Sequence, residues 1–132
     1  MSETTPASQQ TLHIGDLADA TGLSLRTLRH YDEIGLLRAS GRSEGGYRLY
    51  TAQDLERLLA IRRMKPLGFS LDEMADLLRM LDEIETDPQS AQARVALEGL
   101  LRDACERRER LQQHLEMADE FIGILERYRR NN

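Results

Sequence analysis

The stretch IGDLADATGLSLRTLRHYDEIGLL, residues 14–37, decides how the chain folds. Ile14, Leu17 and Ala18 recur at helical spacing, and Gly22 closes a short helix because glycine accepts the left-handed conformation that ends one. Ser24 then offers a side-chain oxygen to the free amides of a second helix, which runs through Ile34 and stops at Gly35. Two short helices around a tight glycine-containing turn spell a helix-turn-helix. On the second helix Arg26, Arg29 and His30 share one face, with Leu25 and Leu28 turned the other way. A planar guanidinium bonds guanine edges or phosphates in pairs, so this polar face suits the major groove of DNA. A helix standing alone would carry the same residues as a solvated, salt-bridged face; the preceding helix and turn favour DNA.

Downstream, in LLRASGRSEGGYRLY (36–50), Gly45-Gly46 separates two short segments and the second ends in the β-favouring Tyr47-Arg48-Leu49-Tyr50, which predicts a hairpin. Arg42, Tyr47 and Arg48 on that hairpin are placed to reach the sugar-phosphate backbone beside the groove, and Tyr50 is expected to pack inward. Thr51 and Asp54 form a capping-box pattern that opens a helix with Leu55, Leu58, Leu59 and Ile61 as its apolar face, ended by Pro66 and Gly68. Near that end, Arg62, Arg63 and Lys65 offer phosphate contacts, although a solvated face explains at least one of them equally well. Ser70 and Glu73 repeat the capping pattern ahead of Leu71, Met74, Leu77, Leu78 and Leu81.

Asp87-Pro88 supplies a cap and a first-turn proline for a last helix that runs without a breaker to about Arg129, some 60 Å at ~1.5 Å per residue. Its apolar positions follow a heptad: Leu97, Leu101, Ala104, then Arg108, Leu111, Leu115, Ala118, Ile122 and Leu125. So narrow a stripe on so long a helix calls for the same helix of a second copy, giving a two-fold symmetric homodimer. Gly99 and Gly123 weaken the helix locally, by about 1 kcal/mol each relative to alanine. The expected organisation is a disordered arm over 1–11, a DNA-binding domain over 12–82, a linker over 83–87 and a dimerisation helix over 88–129.

Charge follows this division. The 132-residue chain carries a net −5, but residues 26–65 hold nine basic and five acidic residues, and residues 67–132 hold nine basic and fifteen acidic. A local +4 joined to a −6 tail half fits nucleic acid at one end and a different task at the other. No apolar run approaches the roughly 20 residues that a membrane helix needs, and the polar start, MSETTPASQQT, lacks the features of a secretion signal. A cytoplasmic, nucleoid-associated protein that does not engage membranes is therefore expected.

Three motifs in order, L-R-x-Y-D within 25–32, G-Y-R-x-Y at 46–50 and L-G-F-S-L at 67–71, make a specific combination. Residues from Leu12 to about Leu81 resemble the winged-helix DNA-binding domain of the bacterial MerR family, and the final helix matches that family's plan. The resemblance implies a mainly α fold: a winged helix-turn-helix with a small β-hairpin wing, followed by a long antiparallel coiled-coil dimerisation helix. It implies that Arg26, Arg29 and Tyr31 belong to a recognition helix on DNA, with Arg42, Tyr47 and Arg48 on the wing and Lys65 on a following helix. Tyr31 lies on the flank of the arginine face, which suits a ring packed within the domain and a hydroxyl directed at a phosphate. Pro66 is unusual at this helix end in the family. Family members bind pseudo-palindromes in double-stranded promoter DNA, and many distort a long promoter spacer so that RNA polymerase engages both promoter elements.

Metal-sensing relatives place cysteines at the start of the dimerisation helix and after it, where this chain reads DPQSAQ and FIGILERYRRNN, so neither a metal nor another cofactor is expected. The single cysteine, Cys105, follows heptad position Ala104 and reads as a small packing residue at the edge of the dimer seam; the sharper reading is an electrophile or oxidant sensor. Two other function classes stay open on sequence: an architectural DNA-binding protein without an effector, and a coiled-coil adaptor acting through residues 94–130. An enzyme is not expected, since the numerous carboxylates from Asp72 to Glu85 are explained by capping and solvation, with no nucleophile or phosphate loop beside them.

Overall fold

The computed structural model describes residues 11–131, so the expected arm over 1–11 lies, apart from Thr11, outside the described residues. The elements are β1 (Leu12–His13), α1 (Ile14–Thr21), α2 (Leu25–Glu33), β2 (Gly41–Arg42), β3 (Arg48–Tyr50), α3 (Ala52–Met64), a 3-10 turn (Lys65–Leu67), α4 (Leu71–Thr86) and α5 (Ala91–Arg130). They divide into two compact units at Leu78 and Arg79.

In the first unit the helix-turn-helix forms for local reasons. Gly22 takes φ 74° and donates to the Ala18 carbonyl, ending α1, and the Ser24 side chain accepts the Thr27 amide, starting α2. Thr21 is buried between them; its hydroxyl donates to the Leu17 carbonyl and accepts from the Leu23 amide. The capping boxes at Thr51/Asp54 and Ser70/Glu73 are both present. Leu17, Leu28, Leu36, Leu37, Leu58, Ile61, Met64, Phe69, Met74 and Leu78 form the core with Tyr31 and Tyr50, each buried aliphatic, Met or Phe side chain gaining roughly 1.5–3 kcal/mol. Arg57 is buried with them, so it is absent from the basic surface that the charge count suggested. Leu25 and Leu71 depart from the apolar faces expected of them, at 39% and 43% exposure. Each opens its helix directly after the capping serine, at the rim of the packed layer.

The hairpin carries a strand that sequence periodicity does not announce. β1 adds antiparallel to β3, giving the order β1-β3-β2 with Leu12 opposite Tyr50 and Arg42 opposite Arg48. The sheet is fastened to α2 through Asp32. Its Oδ2 accepts from Arg48 Nε at 2.7 Å, and its Oδ1 accepts the Ala39 amide at 2.9 Å. Burial pushes the Asp32 carboxyl up, but the hydrogen bonds from Arg48 and Ala39 and the charges of Arg48 and Arg42 outweigh it, so its pKa lies below the usual carboxylate value. Tyr50 lies in the same sheet with its hydroxyl buried and lacking a hydrogen-bond partner among the described residues; burial, then the Asp32 charge, raises its pKa.

The second unit contains the end of α4 and all of α5. Helix α4 continues to Thr86, so the expected linker over 83–87 is mostly helical, and α5 starts at Ala91 rather than 88. Ser90, not Asp87, is the cap: its hydroxyl oxygen accepts the Ala93 amide and its hydroxyl donates to Glu83. Asp87 and Pro88 belong to the turn instead, where the Ser90 amide donates to the Asp87 carbonyl and Arg94 donates twice to the Pro88 carbonyl. From Arg108 to Arg130 every residue of α5 is exposed in the single chain, Leu111, Leu115, Ala118, Ile122 and Leu125 included. Leu97 and Ala104 are half-buried, while Leu101 and Cys105 are exposed. Among the described residues no helix is long and apolar enough to cross a membrane.

Replacing Asp32 by Asn should lower the unfolding free energy near neutral pH by about 1.5–3 kcal/mol, the range for a hydrogen bond to a charged group. Because the folded-state pKa is depressed, the carboxylate stabilises the fold above its unfolded-state pKa, and this contribution is lost as pH falls through the folded-state value. Urea titrations of both proteins across acid pH should therefore show the gap closing as the acid is added.

Candidate nucleic-acid interface

Helix α2 presents Arg26, Arg29 and His30 exposed on one side and Leu28 and Tyr31 buried on the other. Among the described residues neither arginine of that side has an ion-pair partner, so their guanidinium donors are available. Arg26, Thr27, Arg29, His30, Tyr31, Glu33, Lys65 and Leu71 line one open groove of about 780 Å³. Lys65 is thus brought to the α2 face by the turn after α3, across more than thirty residues of chain. Tyr31 is 3% exposed, so it belongs to the core even where it borders the groove. The His30 ring stands 6.4 Å from it, tilted.

A second groove, of about 160 Å³, lies between α2 and the wing and is bordered by His13, Arg29, Arg42, Gly46, Tyr47 and Arg48. Arg29 borders both. Six of the predicted side chains, Arg26, Arg29, His30, Lys65, Arg42 and Tyr47, therefore form one exposed strip from the end of α3 to the wing tip. Arg63 is exposed but borders neither groove. Both grooves are open and rimmed by several arginines, unlike the enclosed site that a small molecule prefers.

The wing tip is shaped by its glycines. Loop residues 44–46 follow the three-residue hairpin form, a turn closed by the Gly46 amide on the Ser43 carbonyl and then a left-handed residue, Gly46 at φ 83°. Across the loop, the Ser43 hydroxyl accepts the Tyr47 amide, and the Tyr47 ring, 71% exposed, lies over Gly45 where a Cβ would meet it at 2.9 Å. Arg42 donates to the Gly46 carbonyl and stays 54% exposed at its side chain. Arg48 differs: its side chain is 20% exposed and its Nε is spent on Asp32, whose hydrogen bond, the largest influence, raises the arginine's pKa.

His13 and the pairing role of Asp32 were missed in the sequence. A short strand gives no periodic signal, and Asp32 was legible only as an acidic residue set among basic ones. Among the described residues no group of three His, Cys, Asp or Glu is arranged to hold a metal ion.

Residues 12–81 match the family model of the MerR HTH family regulatory proteins. The chain belongs to the MerR family. Residues 55–120 match a further MerR family model, described as MerR, DNA binding. Of MerR-like relatives, the nodulation protein NolA of Bradyrhizobium elkanii is 39% identical over 107 residues, 78% of this chain and 48% of that protein. The mercuric resistance operon regulatory protein of Bacillus cereus is 44% identical over 72 residues, 54% of each chain. Among solved structures, HiNmlR, a MerR family regulator lacking the sensor domain and bound to promoter DNA, aligns with a TM-score of 0.67 at 26% identity, covering 86% of this chain and 89% of that one. The chain spans about half the length of these curated relatives.

The two wing glycines should respond differently to alanine. Gly46→Ala forces a side chain into the left-handed region and should destabilise the fold by about 1–2 kcal/mol. Gly45→Ala meets only an exposed ring that can swing aside, so its thermal unfolding should stay within about 0.5 kcal/mol of the parent.

Proposed function

We propose that this MerR-family chain is a sequence-specific, DNA-binding transcriptional regulator that acts as a homodimer on pseudo-palindromic double-stranded promoter DNA. The observation that carries the reading is the exposed basic strip in which Arg29 joins the α2 groove to the wing groove. Helix α2 spans nine residues, about 13 Å at ~1.5 Å per residue, and enters the major groove with Arg26 and Arg29 on base edges or phosphates. Arg42 and Tyr47 on the wing and Lys65 beyond α3 hold the adjacent sugar-phosphate backbone, and these contacts fix register. The promoter-bound state of HiNmlR, a structural neighbour, supports this use of the fold.

Dimerisation through α5 is part of the same proposal. Leu111, Leu115, Ile122 and Leu125 are 44–55% exposed in one chain, and a helix 40 residues long does not keep such a heptad stripe in water. An antiparallel pairing of α5 with its copy covers the stripe, and the two-fold axis supplies two reading heads for a two-fold operator. Distortion of the promoter spacer, and through it engagement of RNA polymerase, follows as the regulatory output.

Two substitutions separate reading from assembly. Arg29→Ala should lower operator affinity by roughly 5–150-fold, the range for one base-edge contact, with an unchanged sedimentation coefficient. Leu115→Asp should sediment as a monomer at micromolar concentration and lose operator binding with it. Full operator binding by Arg29→Ala would refute the assigned reading face, and a dimeric Leu115→Asp would refute the assigned seam.

A further inference from the structure

Three parts of the first unit converge on one carboxylate. Asp32, on α2, accepts the Ala39 amide on Oδ1 at 2.9 Å and Arg48 Nε on Oδ2 at 2.7 Å, while Arg42 Nη2 stands 3.9 Å from the same Oδ2. The two arginines share this oxygen unequally. Arg48 is in a short charge-assisted hydrogen bond with a side chain 20% exposed, and Arg42 is at the limit of an ion pair with a side chain 54% exposed. The Asp32 side chain itself is only 15% exposed.

We infer that Asp32 is a positioning residue for DNA recognition: it holds Arg48 by its Nε as a structural pin between α2 and the wing, and so sets Arg42 and Tyr47 at a fixed distance from Arg29. The inference rests on the DNA-binding reading and adds to it a structural role for Arg48, which the sequence placed with Arg42 and Tyr47 only as a backbone contact. Pulling Arg48 away from α2 would break its 2.7 Å Nε bond and leave a largely covered carboxylate without its main partner, so the side chain is anchored at Nε whatever its Nη groups meet. Arg42 is held less tightly. Its link to Asp32 is long, and its hydrogen bond to the Gly46 carbonyl keeps it at the wing tip beside Tyr47.

Charge and position make opposite predictions here, which is what renders the role measurable. A negative charge within a basic strip repels phosphate, so by charge alone removing it should tighten binding to any DNA. If Asp32 acts by position, its loss frees the wing from α2 and weakens binding only where register matters.

The test measures affinity of the full chain for a DNA fragment protected in footprinting and for a scrambled fragment of equal composition. The proteins are the parent, Asp32→Asn, Asp32→Glu, Arg48→Gln and the Asp32→Asn/Arg48→Gln pair. Asp32→Asn should lose roughly tenfold on the specific fragment while holding or gaining on the scrambled one. Asp32→Glu, which keeps the charge and moves the carboxylate, should lose specific affinity with scrambled-DNA affinity unchanged, and serves if the Asn variant does not fold. The double variant should be no weaker than either single one, because the pair acts as a unit. Tighter binding of Asp32→Asn to both fragments, parent-like operator binding by Asp32→Glu, or additive losses in the double variant would overturn the inference while leaving the DNA-binding reading intact. A parent protein that does not distinguish the two fragments would overturn both.

Discussion

The bond between Asp32 and Arg48 is the constraint on which the geometry of the first unit turns. Helix α2 and the wing are separate pieces of local structure, and each forms for its own reasons: a capping serine and a terminating glycine for the helix, a glycine-closed loop for the hairpin. Neither fixes the other. One carboxylate reaching sixteen residues along the chain to Arg48, and taking the Ala39 amide on its other oxygen, makes them a single surface. The depressed Asp32 pKa is the electrostatic trace of that tie, and the half-exposed Arg42 beside it is the part of the network still available to a ligand.

What could be read in the sequence was what depends on near neighbours. Ser24 bonds three residues ahead, Thr51 and Asp54 close a box three residues apart, Ser70 and Glu73 do the same, and Gly22 acts on the turn just before it. Such interactions are encoded where they occur. The motifs that carried the family resemblance sit on these same local features, which is why the winged helix-turn-helix emerged with its elements nearly in place.

What was not legible depends on distant partners or on competition between two adequate local answers. Strand β1 is two residues long and exists because β3 lies beside it, 36 to 38 residues further along the chain, so no alternation in Leu12-His13 could announce it. Leu25 and Leu71 look apolar-faced by periodicity, yet each starts its helix at the edge of the packed layer. At the start of α5, Asp87-Pro88 and Ser90 both offer plausible caps. Ser90 prevails because its hydroxyl serves twice, accepting the Ala93 amide and donating to Glu83. Of the interface residues, Arg48 was assigned to the wing correctly as a strand residue, but its pairing could not be inferred from spacing.

On the proposed function, the exposed strip on α2 and the wing reads DNA twice, across a two-fold axis. Hydroxyl-radical footprinting of the purified protein on the intergenic region upstream of its own gene tests this most directly. Protection is expected in two symmetric halves about a central axis, with each half covering backbone on either side of one major groove. Uniform protection without discrete boundaries, or a single unsymmetrical patch, would contradict it.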